Sequence, residues 1–375
     1  MAEPLKNFFS PKLVAGIGAS LLAAWPAFDL AQFVALATDG LEALELKQRG
    51  IHIAKAMQAT LPPDYPEAIA IVVRSFGPAS TADTIDGAGM APFYYMPHAE
   101  FVAAYGLDHF DASMAANYQI TQRFTAEFCV RPYLDRDPAR AFAYLERWAR
   151  DPNPHVRRLV SEGSRPRLPW APRMALTAAN PTWALPLLEL LRDDPALYVR
   201  RSVANHLNDI GKEAPDVLIE TAKRWSIDPT PERDWLVKHA LRHAIKQGNT
   251  AALTVLGFGD KADVVIEQVV LEPAQVAIGS NLKVRADIRN AAKTTTSLSI
   301  DVVVDFVKSS GKPSPKVFKG MTADLAAGQS VALRSSVSFQ VHTTRKPYPG
   351  VHKVALLING ERYEIGAVEV VEAIG

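Results

Sequence analysis

Apolar residues recur at helical spacing from about Pro11 to Phe258, in runs cut by proline, Asp-Pro and glycine signals such as "DPNP", "DDPA" and "DPTPE". This half of the chain is predicted to be entirely α-helical. After Asp263 the period shortens to two. "DVVIEQVVL", "LKVRADIRN", "SLSIDVVVDFV", "SVALRSSVSFQV", "KVALLING" and "YEIGAVEVV" are short β-branched runs separated by Gly, Ser, Pro and Asn turns. Their combined length, roughly 110 residues, predicts an antiparallel sandwich of immunoglobulin-like size. The expected architecture is multidomain, α then β, with a helical domain over residues 1–259 and a β-sandwich over 260–375.

Within the helical half one block recurs. "QRFTAEFCVRPYL" (Gln122–Leu134), "RRLVSEGSRPRL" (Arg157–Leu168), "RRSVANHLNDI" (Arg200–Ile210) and "VKHALRHAI" (Val237–Ile245) superpose without gaps through their helical portions, at offsets of 35, 43 and 37 residues. Periods near 40 residues built from helix pairs are what HEAT-like solenoids show, the second helix of each pair lining a concave surface. The superposition also sorts the polar residues. One slot holds Arg123, Arg158, Arg201 and Lys238; four residues later, on the same helical face, the next holds Glu127, Glu162, Asn205 and Arg242. A single Arg/Glu pair of this spacing is an ordinary surface pair worth about 0.2 to 0.5 kcal/mol. Four stacked basic residues on the lining helices of a solenoid point instead to a surface that tracks phosphates. A glutamate there repels phosphate, so its presence implies a cationic group nearby.

Charge supports a localised anionic partner. The net charge is only +1, yet residues 1–120 hold 6 Lys and Arg against 12 Asp and Glu, whereas residues 121–250 hold 21 against 16. A composition of 48% hydrophobic and 22% charged residues is ordinary for a soluble globular protein, and 375 residues suit two domains. The single cysteine, Cys129, excludes an intramolecular disulfide, reads as a small buried apolar residue and fits a reducing cytoplasm. "LVAGIGASLLAAW" (Leu13–Trp25) is cut off by Pro26 and Asp29, falls short of the roughly 20 residues that span a bilayer, and reads as a buried first helix. His239 and His243 have zinc-ligand spacing without a third ligand, so neither metal nor cofactor is expected.

The blocks "MAEPLKNFF", "DPNPHVRRLVSEGSRPRLPWAPR", "YVRRSVANHLNDI" and "WLVKHALRHAIKQG" resemble the AlkC-type DNA alkylation repair glycosylases, relatives of the AlkD group with a HEAT-like solenoid. The resemblance covers the helical half, and the sandwich resembles the immunoglobulin-like extension that some members carry. It implies a DNA glycosylase that hydrolyses the N-glycosidic bond of cationic alkylated bases in duplex DNA. The chief substrate would be 3-methyladenine, with 3-methylcytosine and 1-methyladenine as further candidates. The lesion would not be swung into a deep pocket. The alkylated base already carries positive charge, and the transition state places oxocarbenium character on the sugar. A nearby carboxylate stabilises that charge and orients or deprotonates the attacking water. No lysine is placed to form a Schiff base with the sugar, so a monofunctional enzyme is expected.

Carried over position by position, the resemblance implies catalytic roles for Glu127 and Glu162, for Trp170 as the aromatic packed on the damaged nucleotide, and for Asp209 as an acidic position near the site. Arg158 and Arg165 match residues that hold the DNA backbone. Arg123, Arg201, Lys238, Arg242 and Lys246, from the repeat's inner helices, are further expected DNA contacts. Trp183 and Trp235 read as packing residues. The basic loops "VKSSGKPSPKVFKG" (Val307–Gly320) and "HTTRKPYPGVHK" (His342–Lys353) make the sandwich a candidate accessory DNA-binding domain. The expected partner is double-stranded DNA containing alkylated bases, bound by a monomer at the nucleoid of a bacterial-type cytoplasm, with no membrane. The rivals are a non-catalytic lesion-binding solenoid and a protein-binding HEAT scaffold.

Overall fold

The computed structural model describes residues 4–80, 82, 89–258, 261–342 and 345–372. Among these, fifteen α-helices precede eight strands. The helices are α1 (Pro11–Ala24), α2 (Leu30–Thr38), α3 (Leu46–Thr60), α4 (Tyr65–Arg74), α5 (Met96–Tyr105), α6 (Phe110–Thr121), α7 (Arg131–Arg136), α8 (Pro138–Trp148), α9 (Pro154–Gly163), α10 (Ala175–Ala179), α11 (Leu185–Leu191), α12 (Leu197–Ile210), α13 (Pro215–Trp225), α14 (Pro231–Lys246) and α15 (Thr250–Val255). The expected first helix is α1, with Val14, Ile17, Gly18 and Leu21 buried.

Several breaks in the apolar pattern turn out to be helix starts. Ser10, Asp137 and Asn153 each stand one residue before a proline, and their side chains accept backbone N–H groups of the first turn. The cap satisfies an otherwise orphaned donor, and proline at the first helical position has none to lose. The internal repeat has an equally local cause. Arg157 Nη1 donates to the carbonyls of Asp151 and Pro152 at 2.8 and 2.9 Å, and Arg200 Nη1 donates to those of Asp194 and Pro195 at 2.6 and 2.8 Å. The first arginine of each pair thus ties its helix to the preceding Asp-Pro turn in the same register.

Packing divides the chain into two compact units, Met1–Leu218 with Pro229–Ala240, and Ile219–Asp228 with Leu241–Gly375. The change from helix to strand falls between Val255 and Val264, while the expected boundary at 259/260 lies outside the described residues. The first unit is a HEAT-like helical solenoid. In the second, β1 (Val264–Glu272), β3 (Asn281–Asn290) and β6 (Ser330–Ser338) form one sheet in the order β1-β3-β6. The other sheet joins β2 (Gln275–Ala277), β8 (Glu361–Val371), β7 (Gly350–Ile358), β4 (Thr296–Val307) and β5 (Pro313–Leu325) in that order. Leu282, Val284, Ile288, Ile300, Val302, Phe306, Leu333, Phe339 and Leu356 fill the space between the sheets.

Two features of the sandwich depart from expectation. The short β2 pairs in parallel with β8, so the sheet is mixed. The segment Val307–Gly320, read as a basic loop, is mostly strand: only residues 308–312 turn, and Pro313 to Leu325 pair with β4. Its prolines and lysines are tolerated because β5 is an edge strand, where a missing N–H breaks no ladder and charge discourages further pairing. Of His342–Lys353, Thr343 and Thr344 lie outside the described residues, His342 bridges Arg345, and Gly350–Lys353 already belong to β7.

The turn before α15 meets the β7–β8 turn through two glycines. Gly360 has φ +85°, and a Cβ there would come within 2.8 Å of the Gly248 carbonyl oxygen. Gly360→Ala is expected to destabilise this unit by roughly 1 to 3 kcal/mol, combining left-handed strain with the clash. A thermal or urea melt checks it, and an unchanged midpoint would mean that this approach is not needed.

Candidate active site

Two helices and one turn build the site. α9 carries Arg158 and Glu162 one turn apart and leads into Arg165, while α12, packed along α9, carries Ser202, His206 and Asp209. The third piece is not helical. Residues 122–130 are turns between α6 and α7, so Glu127 is not the helical i,i+4 partner of Arg123 that the repeat predicted. Arg123 is drawn elsewhere: its guanidinium donates to the carbonyls of Gly77 and Gln119, both at 2.7 Å, and lies over the Phe76 ring. Gly163 lets the turn close on α9, since a Cβ there would stand 2.7 Å from Val130 Cγ1 and 3.8 Å from Glu127 Cα. The "EG" pair therefore supplies both a carboxylate and the space that brings the second one near.

Charges alternate along the site. Arg158 donates to Glu127 Oε2 at 2.6 Å and approaches Glu162 Oε1 at 3.7 Å. Arg165 donates to Glu162 Oε1 at 2.6 Å and to Asp209 Oδ2 at 2.9 and 2.8 Å; Lys212 ends the row on Asp209 Oδ1 at 3.0 Å. Hydroxyls add to both glutamates. Thr125 donates to Glu127 Oε2 at 2.6 Å and accepts from Arg158 at 3.1 Å, and Ser202 donates to Glu162 Oε2 at 2.5 Å. Arg158 also stacks over Tyr198 at 5.2 Å.

This arrangement keeps Glu162, Arg158 and Arg165 ionised. Burial alone pushes the Glu162 carboxyl up, but the charges of Arg158 and Arg165 and the hydrogen bonds from Ser202 and Arg165 outweigh it and hold it below its ordinary range. Burial likewise works against the Arg158 and Arg165 cations, and their carboxylate neighbours still hold both above the usual value. The three acids differ in access: side-chain exposure is 12% for Glu127, 8% for Glu162 and 2% for Asp209. Glu127 uses only Oε2 in these bonds, so its Oε1 accepts none among the described residues.

Trp170 stands outside this row, on the loop that follows α9. It is 85% exposed and has φ +67°, a conformation costly for a bulky residue. Arg131 holds that loop at both ends, donating to the carbonyls of Gly163, Arg165 and Pro172 at 3.1, 2.9 and 3.0 Å. An exposed indole on a braced, strained loop is a presented side chain rather than a packing residue.

The other expected DNA contacts divide. Arg158 and Arg165 are engaged with carboxylates inside the site rather than displayed to solvent. Arg201 on α12 and Lys238 on α14 are exposed in the same unit; Arg242, half-buried, and Lys246, exposed, lie on the part of α14 that belongs to the second unit. Arg167 and Arg173 pair with Glu213 at 2.7 and 3.2 Å. Trp183 packs edge-on against Phe142, and Trp235 stacks on His239, whose Nε2 bonds Asn205 Oδ1 at 3.1 Å. Cys129 is buried and donates its thiol proton to Asn117 Oδ1.

Residues 265–372 match the family model described as "Uncharacterised protein YhaZ, C-terminal Ig-like domain". Over 95% of its length the chain is 34% identical to the uncharacterized protein YhaZ of Bacillus subtilis (strain 168), covering 96% of that protein. Its structure is similar, with a TM-score of 0.88 and 37% identity over 98% of this chain and 100% of the other, to Pseudomonas fluorescens alkylpurine DNA glycosylase AlkC bound to DNA containing an abasic site analog. The chain belongs to the AlkC family of DNA glycosylases. Residues 265–372 are its C-terminal immunoglobulin-like domain.

Several residues of this AlkC-family site escaped the sequence reading, and the signal for two was present. In the repeat superposition Ser202 occupies the slot of Leu159 and Thr125 that of Val160, both fully buried apolar positions. A hydroxyl in a core slot calls for a polar partner. Tyr198, Arg131 and His206 carried no such mark.

Arg165→Met is expected to leave Glu162 and Asp209 buried without their shared cation and to cost roughly 3 to 5 kcal/mol, read by urea denaturation. A loss below 1 kcal/mol would contradict the row's coupling. A second outcome concerns pH. His206 and His98 are fully buried, and burial pulls each from 6.5 down to about 4. The unfolded chain binds these protons first, so their contribution to stability is complete above about pH 6.5 and is lost as pH falls toward 4, by up to roughly 3 kcal/mol each. Denaturation midpoints at pH 7 and pH 5 test this; equal stability at both would contradict it.

Proposed function

We propose that the chain is a monofunctional glycosylase that releases cationic alkylated bases, 3-methyladenine foremost, from duplex DNA without base flipping. The observation that supports it best is the pair of carboxylates brought to one arginine from adjacent elements, with one oxygen left unbonded. Glu127, the more exposed, accepts the proton of the attacking water at Oε1. Glu162, held on both oxygens, faces the positive charge that develops on the sugar. The water oxygen bonds to C1′, the electrons of the C1′–N bond leave with the base, and the cationic base departs neutral. Asp209, shielded behind Arg165, acts by holding that arginine rather than by touching the sugar. Trp170 offers its face to the cationic base.

Arg201 and Lys238, with Arg242 and Lys246, supply phosphate contacts in this reading. In the sandwich, β4 runs antiparallel to β7, so the turn at 308–312 and the segment before Gly350 lie at one end. Lys308, Lys312 and Lys346 there suit an accessory DNA contact. The protein works as a monomer in the cytoplasm on this account, consistent with a single buried cysteine. No helix among the described residues is long and apolar enough to cross a membrane.

Base release from dimethylsulfate-treated duplex DNA, resolved by chromatography, tests the reading. The intact protein should release 3-methyladenine in preference to 7-methylguanine. Glu127→Gln should slow release on the order of 10²- to 10⁴-fold while duplex binding persists. Tight, salt-sensitive binding with no released base would favour a lesion-binding solenoid, and neither binding nor release would favour a protein scaffold.

A further inference from the structure

We infer that Ser202 is a positioning residue for excision: its buried hydroxyl fixes the plane of the Glu162 carboxylate. This rests on the glycosylase reading above. The direction of each bond is set by chemistry. A carboxylate only accepts, so the Ser202 proton points to Glu162 Oε2, 2.5 Å away, with Ser161 Oγ a further neighbour 3.0 Å from Ser202 Oγ. A carbonyl also only accepts, so His206 Nδ1 carries the proton shared with the Ser161 carbonyl at 2.9 Å. His206 lies four residues after Ser202 on the same face of α12. That second bond pins α12 to the end of α9, and so pins Ser202 against Glu162. Arg165 on Oε1 and Ser202 on Oε2 together leave the carboxylate no free rotation.

The groups around Glu162 are Arg158 and Arg165 from α9 and its loop, Glu127 from the turn, Tyr198, His206 and Asp209 from α12, Lys212 from the turn after it, and Arg131 from α7 beyond Arg165. The arginines remain when Ser202 is removed, and burial then pushes the carboxyl up against one donor fewer.

The test is single-turnover release of 3-methyladenine at saturating protein across pH 4 to 8, for wild type, Ser202→Ala and Ser202→Thr. Ser202→Ala should lower the plateau roughly tenfold and move the acid limb up by about one pH unit, with DNA affinity unchanged. Ser202→Thr, which keeps the hydroxyl, should restore both. Infrared titration of the carboxylates in the unsubstituted protein gives a readout independent of either variant's folding: one carboxylate should stay ionised below the ordinary glutamate range and vanish in Glu162→Gln. A wild-type profile for Ser202→Ala, or equal impairment in both serine variants, overturns the inference while leaving the glycosylase reading intact. Failure of wild type to release base overturns both.

Discussion

The contact on which the candidate active site depends is Arg158 between Glu127 and Glu162. The two carboxylates come from different elements, a turn after α6 and the last turn of α9, and the cation between them offsets their mutual repulsion. Two carboxylates brought together without a cation repel each other and disfavour the doubly charged state. With Arg158 at 2.6 Å from one and 3.7 Å from the other, and Arg165 beyond, each negative charge has a positive neighbour on at least one side. The row continues to Asp209 and Lys212, so the interior end is compensated as well.

Such a row is a poor way to stabilise a fold. Desolvating buried ions costs several kcal/mol each, and their mutual attraction in good geometry roughly offsets this, so apolar residues of the same volume would serve stability as well or better. What apolar residues cannot provide is two anionic oxygens already oriented before a substrate arrives. Preorganised charge needs no rearrangement when a transition state forms, and that is where electrostatic stabilisation acts most strongly. The loop bearing Trp170 follows the same logic, because Arg131 satisfies three of its carbonyls and so supports a backbone conformation that is strained at φ +67°.

Much of this was legible in the sequence wherever the cause was local. Asn-Pro and Asp-Pro dipeptides mark helix starts through capping, and the paired arginines repeat because the first of each pair binds the preceding turn. Six β-branched runs became strands. Other features depend on partners far along the chain. "PSPKVFKG" is a strand only because β4 lies beside it and no strand lies beyond it. Arg123 keeps its place in the repeat but turns toward Gly77, since the helix that should carry Glu127 gives way to a turn. Composition alone does not show that substitution of turn for helix. The Gly163 contact with Val130 does, but only once the fold is known.

The repeat also explains why the site is single although its scaffold recurs. In the block after α9's, the slots of Glu162 and Arg158 hold Asn205 and Arg201, and in the next they hold Arg242 and Lys238. A neutral amide and then a cation replace the carboxylate, so the alternation of sign that keeps Glu162 ionised cannot recur there. The basic slot stays positive through all four blocks, which in the proposed glycosylase suits phosphate and not a carbocation. On that proposal one scaffold carries two chemistries, separated by what stands four residues after each basic side chain.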